Sequence, residues 1–504
     1  MFENLLAAHI PETRTTARKR TGSYYTPRPV VDYMVDEALA RSLAEVCRRN
    51  GSNHVSETLL RQLLDHGHEQ DPASLPDDVR KAGVEAVATI KILDPAVGSG
   101  AFPMSILHKL TLVLRRLDPD NQLWEQFQRQ LAVRRAEEAL QADEQAERDQ
   151  QLLAISDTFG KYRESDFGRK LYLIQNSIYG VDIQPIACQI AKLRFFIALA
   201  IEQEPDRDAE NRGIKPLPNL ETRFVAANTL LALCGQQQLS PTRVAELEAQ
   251  LRSIRERYFH ASTRALKQEC IAQDGALRRE LAEALRDSVF DLAAADAFVQ
   301  WRPYDQSTTA DWFDHRYMFN AGDGFDIVIG NPPYVRADVD AGHLAQRARI
   351  TNSGLYETLW EKWDLYIPFI ERGYKLLNAG GFITLIVSDA YCHAKYAQKS
   401  QKWFLENSRI VQLDFLSKIK VFDAAVRNMT FLFQNSTAGQ DDPPLRRVHE
   451  GKVGNVRHLP TSRQTDLNHR AFFPEDMALD DFTIPTVTLE TICYISVGIV
   501  GERT

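Results

Sequence analysis

Short apolar runs recur along the chain, each bounded by turn residues. They are IKILDP (90–95), IYGVDI (178–183), RFVAAN (223–228), FDIVIG (325–330), FITLIVS (382–388), IVQLDFL (410–416) and MTFLF (429–433). Near-continuous apolar strands suit a sheet covered on both faces. Helical patterns lie between them, and this alternation predicts an α/β fold built on a mostly parallel sheet. Two segments break the rhythm. Residues 105–175 include LAVRRAEEALQADEQAERDQQLL, and residues 240–298 include VAELEAQLRSIRERYF and LRRELAEALRDSVFDLAA. Their composition is that of long helices with charged outer faces, so helical insertions beside the sheet are expected. After Gln434, NSTAGQDDPPLRR is polar and contains Pro and Gly, the texture of a linker or surface loop. The residues beyond it contain little that could form a core of their own.

The strand FDIVIG runs straight into Asn331-Pro332-Pro333-Tyr334. Neither proline has an N–H to donate, so a central ladder stops there in a stiff turn. Ligand sites of open sheets lie at such carboxyl ends. An exocyclic amine on an aromatic base is a poor nucleophile, because its lone pair is delocalised. Two acceptors, the Asn331 side-chain oxygen and the Pro332 carbonyl, would draw its nitrogen toward a tetrahedral shape and stabilise the growing positive charge. The prolines would hold those acceptors still beforehand. Tyr334 would supply a flat ring for an extruded base. The plainer alternative is a proline turn with a packing tyrosine.

Three other strand ends carry candidate chemistry. ILDPAVGSGAFPMSIL (92–107) reads as strand, glycine turn and helix. Gly98 and Gly100 allow close backbone approach, and the helix N-terminus offers free N–H groups. No G-K-[ST] follows, which excludes a nucleotide-triphosphate loop. Asp94, at the strand end, can bind an amino-acid-like ammonium. IYGVDIQP ends a strand in Asp182, where such folds hold a ribose diol. The usual spacing from the glycine turn is about twenty residues; here the first helical segment lengthens it. Asn228 and Thr229 end a third strand, and an Asn amide can read an adenine edge. Each of these residues alone could equally be a turn residue.

Composition adds bounds. The 504 residues are 44% apolar and 25% charged, as in ordinary globular proteins. No apolar run is long enough to span a bilayer, and the N-terminus shows no secretory signal, so a cytoplasmic location is expected. The six cysteines are scattered without a C-x-x-C pair, which suits reduced thiols and offers no zinc framework; no metal is expected. The net charge of −8 argues mildly against nucleic acid but leaves room for a local basic face. Arg14, Arg18, Lys19, Arg20 and Arg28 could form one, with Arg18, Lys19 and Arg20 as candidate DNA-backbone contacts. A solvated basic segment is the simpler reading of that run.

Together these motifs resemble one family, the γ-class N6-adenine DNA methyltransferases of type IIG restriction–modification and BREX-type phage-defence systems. TGSYYTPRPVVDYMV (21–35) is similar to their N-terminal cofactor motif, DPAVGSGAF to the main cofactor motif, YGVDIQP to the ribose motif and ANTLL to the adenine-side motif. NPPY is similar to the catalytic motif. KWDLYIPFIERGYKLL (362–377) and GGFITLIVSDAY (380–391) resemble the helix and strand that follow, and KVFDAAVRNMTFLF (420–433) the region of a second stacking aromatic. The resemblance spans about residues 20–435, with the cofactor half first.

The resemblance implies a class I S-adenosylmethionine-dependent methyltransferase fold, Rossmann-like, with a mostly parallel seven-stranded sheet. It implies S-adenosylmethionine as cofactor and adenine N6 in double-stranded DNA as acceptor. Thr26 would meet the cofactor carboxylate and Asp94 its amino group. Ala96, Gly98 and Gly100 would line the glycine turn. Asp182 and Ile183 would serve the ribose side, and Asn228 and Thr229 the adenine. Asn331, Pro332, Pro333 and Tyr334 would hold the flipped base, with Phe422 on its other face. Val97 stands where many relatives have Cys. The expected organisation is an N-terminal helical segment (1–88) with the cofactor motif at 21–35, a catalytic domain (89–435), and a linker plus the start of a target-recognition domain (436–504). TLETICYISVGIVG looks like the opening of that last domain, so either the chain is a truncated product or recognition, and any cleavage, comes from a separate subunit.

Two other functions fit parts of the pattern. N-P-P-Y also occurs in methyltransferases of protein glutamine, and close variants act on RNA guanine, but those lack the YYTP segment and the long inserts. A cofactor-binding remnant or assembly subunit is the non-enzymatic alternative, and the intact catalytic motif counts against it. A cytosine C5 methyltransferase is excluded, because it needs a Pro-Cys nucleophile and the chain has no such dipeptide.

Overall fold

All seven apolar runs form strands in the computed structural model of the chain. They are β1 (Ile92–Asp94), β2 (Ile178–Asp182), β3 (Phe224–Ala226), β4 (Phe325–Gly330), β5 (Leu377–Ser388), β6 (Arg409–Phe415) and β7 (Asn428–Gln434). The structure describes residues 26–474, with His9–Ile10 and Thr15–Thr16 as a separate two-stranded pair. Within that span 68–73, 141–155, 157–158, 161, 163–165, 206–207, 209–211, 213, 215–217, 234–241, 287–291, 306, 323, 337–340 and 423–425 are not described. Two further strands, β8 (Leu445–His449) and β9 (Val456–His458), extend the sheet to nine.

The spatial order is β9-β8-β6-β7-β5-β4-β1-β2-β3. Strands β1 to β5 pair in parallel with their neighbours among themselves. β7 is inserted antiparallel between β5 and β6. The order of β1 to β7, with β7 alone reversed among them, is that of the class I S-adenosylmethionine-dependent methyltransferase fold; β9, at the far edge, runs antiparallel to β8. Both β4 and β7 are buried along their whole length, which is why their sequences hardly alternate.

Helices cover both faces. α1 (Arg28–Arg49) packs on β4 and β5, with Arg48 and Arg49 in its last turn complementing the dipole. α2 (Ala101–Leu117) follows the glycine turn and α3 (Pro185–Ala200) follows β2. The second insertion is a helical hairpin of α4 (Thr242–His260) and α5 (Arg264–Arg286). A buried carboxylate holds it: Asp274 accepts from Arg255 at 2.9 Å, Arg278 at 2.7 Å and the Tyr304 hydroxyl at 3.1 Å. Burial alone would raise the pKa of Asp274, but the two guanidinium groups outweigh it and keep the group low.

Residues 445–458, which their polar texture places in a linker, belong to the catalytic sheet. β8 lies parallel to β6, and Arg447 on β8 reaches Asp414 on β6 at 2.7 Å and Glu37 on α1 at 3.1 Å. Glu37 also accepts from Arg41 at 2.9 Å and Arg61 at 2.7 Å. Arg446 is buried too, donating to the Ala471 carbonyl at 2.9 Å. A strand with two buried arginines among its three interior residues does not announce itself by hydrophobicity.

Candidate active site

The sheet runs from β1 to β2 and β3 on one side and to β4 and β5 on the other. A crevice therefore opens at the carboxyl ends of β1 and β4, the topological switch point. Asp94 ends β1 there, almost wholly buried, and its Oδ1 accepts from the Ala96 N–H at 3.1 Å. Gly330 ends β4 beside it. A Cβ at Gly330 would lie 2.6 Å from Asp94 Oδ1, so only glycine lets the carboxylate sit against this strand.

The glycine turn follows. Gly98 and Gly100 adopt φ of 51° and 77°, left-handed values that favour glycine. Gly100 also packs tightly on α3, since a Cβ there would meet the Ala191 Cβ at 3.1 Å. Gly98 faces open space apart from its own turn. Its N–H donates to Asp182 Oδ2 at 2.9 Å, and the Gln184 N–H donates to Asp182 Oδ1 at 2.8 Å. The acid ending β2 is thus latched to the turn that follows β1. Arg194 on α3 secures the same turn by donating to the Ser99 carbonyl at 3.0 Å.

Neither Asp94 nor Asp182 meets a lysine or arginine among the described residues. Burial raises the pKa of Asp94 well above the ordinary carboxylate range; the Ala96 N–H opposes this and the Asp182 charge adds to it. Burial also raises Asp182, against the Gln184 and Gly98 N–H groups. Buried carboxylates without a cation fit a ligand that brings an ammonium and hydroxyl donors, and S-adenosylmethionine carries both.

Ile183, directly after Asp182, is 51% exposed, a large apolar side chain where the flat face of a nucleobase could lie. Asn228 and Thr229 are buried and already engaged. Asn228 Oδ1 accepts from the Leu230 N–H at 3.1 Å, and the Thr229 hydroxyl donates to the Pro95 carbonyl at 2.7 Å. Arg372 holds the Thr229 carbonyl at 3.2 Å. Thr229 therefore ties the end of β3 to the end of β1.

Asn331 follows Gly330, and its Nδ2 donates to the hydroxyl of the buried Thr26 at 3.0 Å. Tyr334 is half-buried, and its hydroxyl donates to the Ile386 carbonyl at 2.9 Å. Its ring meets Tyr366 edge-on at 6.3 Å. Phe422 lies at the same centroid distance, 6.3 Å, but the planes cross at 66°. A base sandwiched between them would need parallel rings roughly 7 Å apart, two contacts of about 3.5 Å. Phe422 is only 4% exposed, in one apolar cluster with Leu416, Val421 and Leu432. The two rings touch and do not form an open slot, because Phe422 is drawn into the core.

Sequence reasoning missed Gly330, Arg194, Arg372 and Asn428. Gly330 could have been found as the glycine ending a buried strand before the proline turn. The others act through distances that sequence does not show. Arg18, Lys19 and Arg20 lie outside the described residues.

Residues 176–422 match the family described as Eco57I restriction-modification methylase. The chain thus resembles restriction–modification methyltransferases over the segment that holds Asp182, Asn331 and Phe422. A Methanocaldococcus jannaschii protein named as a type II restriction enzyme and methyltransferase is 22% identical over 74% of this chain and 32% of its own length. The type II methyltransferase M.BstVI of Geobacillus stearothermophilus is 30% identical over 25% of this chain and 22% of its own. The chain spans about a third or less of these two curated relatives. Among solved structures, the type IIL restriction–modification enzyme MmeI in complex with DNA aligns with 91% of this chain and 42% of that one, at 11% identity and a TM-score of 0.43. The strand order, not that likeness, carries the fold. No described helix is long and apolar enough to cross a membrane.

Proposed function

We propose that the chain transfers a methyl group from S-adenosylmethionine to the N6 amine of an adenine turned out of double-stranded DNA. The single observation behind this reading is Asn331-Pro332-Pro333-Tyr334 at the end of β4, beside Asp94 at the end of β1. It puts an amine-binding turn next to a cofactor-binding turn.

The cofactor, when bound, supplies an electrophilic methyl group. The protein's part is to hold and orient. Asp94 takes the ammonium of the amino-acid end, and Asp182, latched to Gly98, takes ribose hydroxyls. Ile183 covers one face of the cofactor's adenine. With the Asn331 nitrogen committed to Thr26, the side-chain oxygen is the end that accepts from a substrate amine. The Pro332 carbonyl accepts the second amine hydrogen, and the two prolines keep both acceptors fixed. Tyr334 provides the stacking face. In this conformation Phe422 does not, and admitting a base between the rings requires it to turn.

The protein is further placed in a restriction–modification or phage-defence system, in the cytoplasm. Its catalytic domain spans 89–435 with β8 and β9 as an extension. Target recognition is assigned to a further domain or to a separate specificity subunit.

Incubation with tritiated S-adenosylmethionine, DNA and total protein tests the reading. Label on DNA supports it. Label on protein would favour glutamine methylation, and cofactor binding without transfer would favour a non-catalytic subunit.

A further inference from the structure

Asn428 opens β7, directly opposite Ser388 at the end of β5, and is 1% exposed. The residues after it, MTFLF, are buried and mostly apolar, so a polar side chain here calls for a reason. Its amide nitrogen donates to the Val387 carbonyl at 3.3 Å and to the Tyr334 hydroxyl at 3.3 Å. An amide has two N–H hydrogens, so both are used. Tyr334 spends its own hydrogen on the Ile386 carbonyl at 2.9 Å, and can only accept from Asn428. The Asn428 oxygen, by contrast, is buried with no hydrogen-bond partner among the described residues. Burying an acceptor unpaired is costly, so the side chain serves here through its donors.

We propose that Asn428 is a positioning residue for Tyr334. It fixes the phenol plane against which the substrate base is held. This rests on the methyltransferase reading above and deepens it. The Tyr334 hydroxyl is caught between two strands, by the Ile386 carbonyl on β5 and the Asn428 amide on β7. Two hydrogen bonds of different direction fix the oxygen, and with it the ring plane, before any base arrives. The inserted strand β7 therefore reaches the Asn331–Tyr334 turn through the Asn428 side chain. Loss of that tie slows the chemical step and leaves cofactor binding alone, because the Asn428 side chain hydrogen-bonds to Val387 and Tyr334 and, among the described residues, to none on the cofactor side.

Four full-length proteins test this: the unsubstituted chain, Asn428→Ala, Tyr334→Phe and the double variant. The readouts are methyl transfer to DNA at saturating cofactor, cofactor Kd and the thermal midpoint. Asn428→Ala is expected to lower kcat about tenfold, the worth of one lost hydrogen bond, with cofactor Kd unchanged. In the Tyr334→Phe background, where no hydroxyl remains to be held, the same substitution is expected to cost nothing further. If Asn428→Ala does not fold, Asn428→Ser, smaller and still polar, enters the same cycle. Multiplying effects, or an unchanged kcat in the single variant, would overturn the positioning role while leaving the methyltransferase reading intact. Absence of methyl transfer to DNA by the unsubstituted chain would overturn both.

Discussion

The Asn331 amide nitrogen donates to the Thr26 hydroxyl across 3.0 Å, joining the catalytic turn to a residue 305 positions earlier in the chain. An amide can turn over by exchanging its nitrogen and oxygen. In the proposed function this contact decides which end faces the substrate amine. Thr26→Val keeps the shape and removes the hydroxyl. It is expected to lower kcat about tenfold, for one orienting hydrogen bond of roughly 1 kcal/mol or a little more. Steady-state kinetics at saturating cofactor checks this. A variant changed only in cofactor affinity would assign Thr26 to the cofactor carboxylate alone.

Cofactor affinity is expected to depend on pH through Asp94. Burial raises its pKa, so in the free protein it is protonated further into the acid-to-neutral range than an ordinary carboxylate. A bound ammonium favours the ionised form, so binding releases that proton. Affinity therefore rises with pH through the raised pKa and then levels off. Calorimetry in buffers of different ionisation enthalpy should show proton release in the unsubstituted protein and none in Asp94→Asn.

Gly330→Ala places a methyl group 2.6 Å from Asp94 Oδ1. The carboxylate must move, and in the proposed function it anchors the cofactor's amino end. Cofactor Kd is expected to weaken tenfold or more, about 1.4 kcal/mol. Equilibrium dialysis reads this directly, and an unaltered Kd would separate Asp94 from cofactor binding.

Arg447→Met removes the cation shared by Glu37 and Asp414. Breaking such a buried pair typically costs about 3–5 kcal/mol. The lower end is expected here, because Glu37 keeps Arg41 and Arg61, and Asp414 keeps Tyr33. Burial opposes ionisation of both acids, but their hydrogen-bonding and charged partners win and hold their pKa values down. Their contribution is therefore complete above the ordinary carboxylate range and fades as pH falls through the lowered values. Urea unfolding at neutral and acid pH should show a deficit that shrinks on acidification.

Much of the fold was legible in the sequence because the seven strands are mostly buried and their cores are mostly apolar. β8 was not, because Arg446 and Arg447, one on each face, are buried in carbonyl contacts and ion pairs. The strand-end positions of Asp94 and Asp182 and the glycine turn at Gly98 were legible, because strand ends and glycine turns fix residue type locally. The bond from the Thr229 hydroxyl to the Pro95 carbonyl was not legible, since it joins two strand ends far apart in sequence. Phe422 was chosen from its motif alone, and motif position says nothing of ring orientation. Gly330 and Asn428 depend on contacts across strands, where one sequence without coordinates gives no pairing.

The most direct measurement is nucleoside mass analysis of DNA after incubation with S-adenosylmethionine, using the unsubstituted chain and Asn331→Ala. The expected result is N6-methyladenine with the former, and none with the latter despite nearly intact cofactor binding. Methyl groups on another base, or more than a few per cent of activity retained without the Asn331 amide, would contradict it.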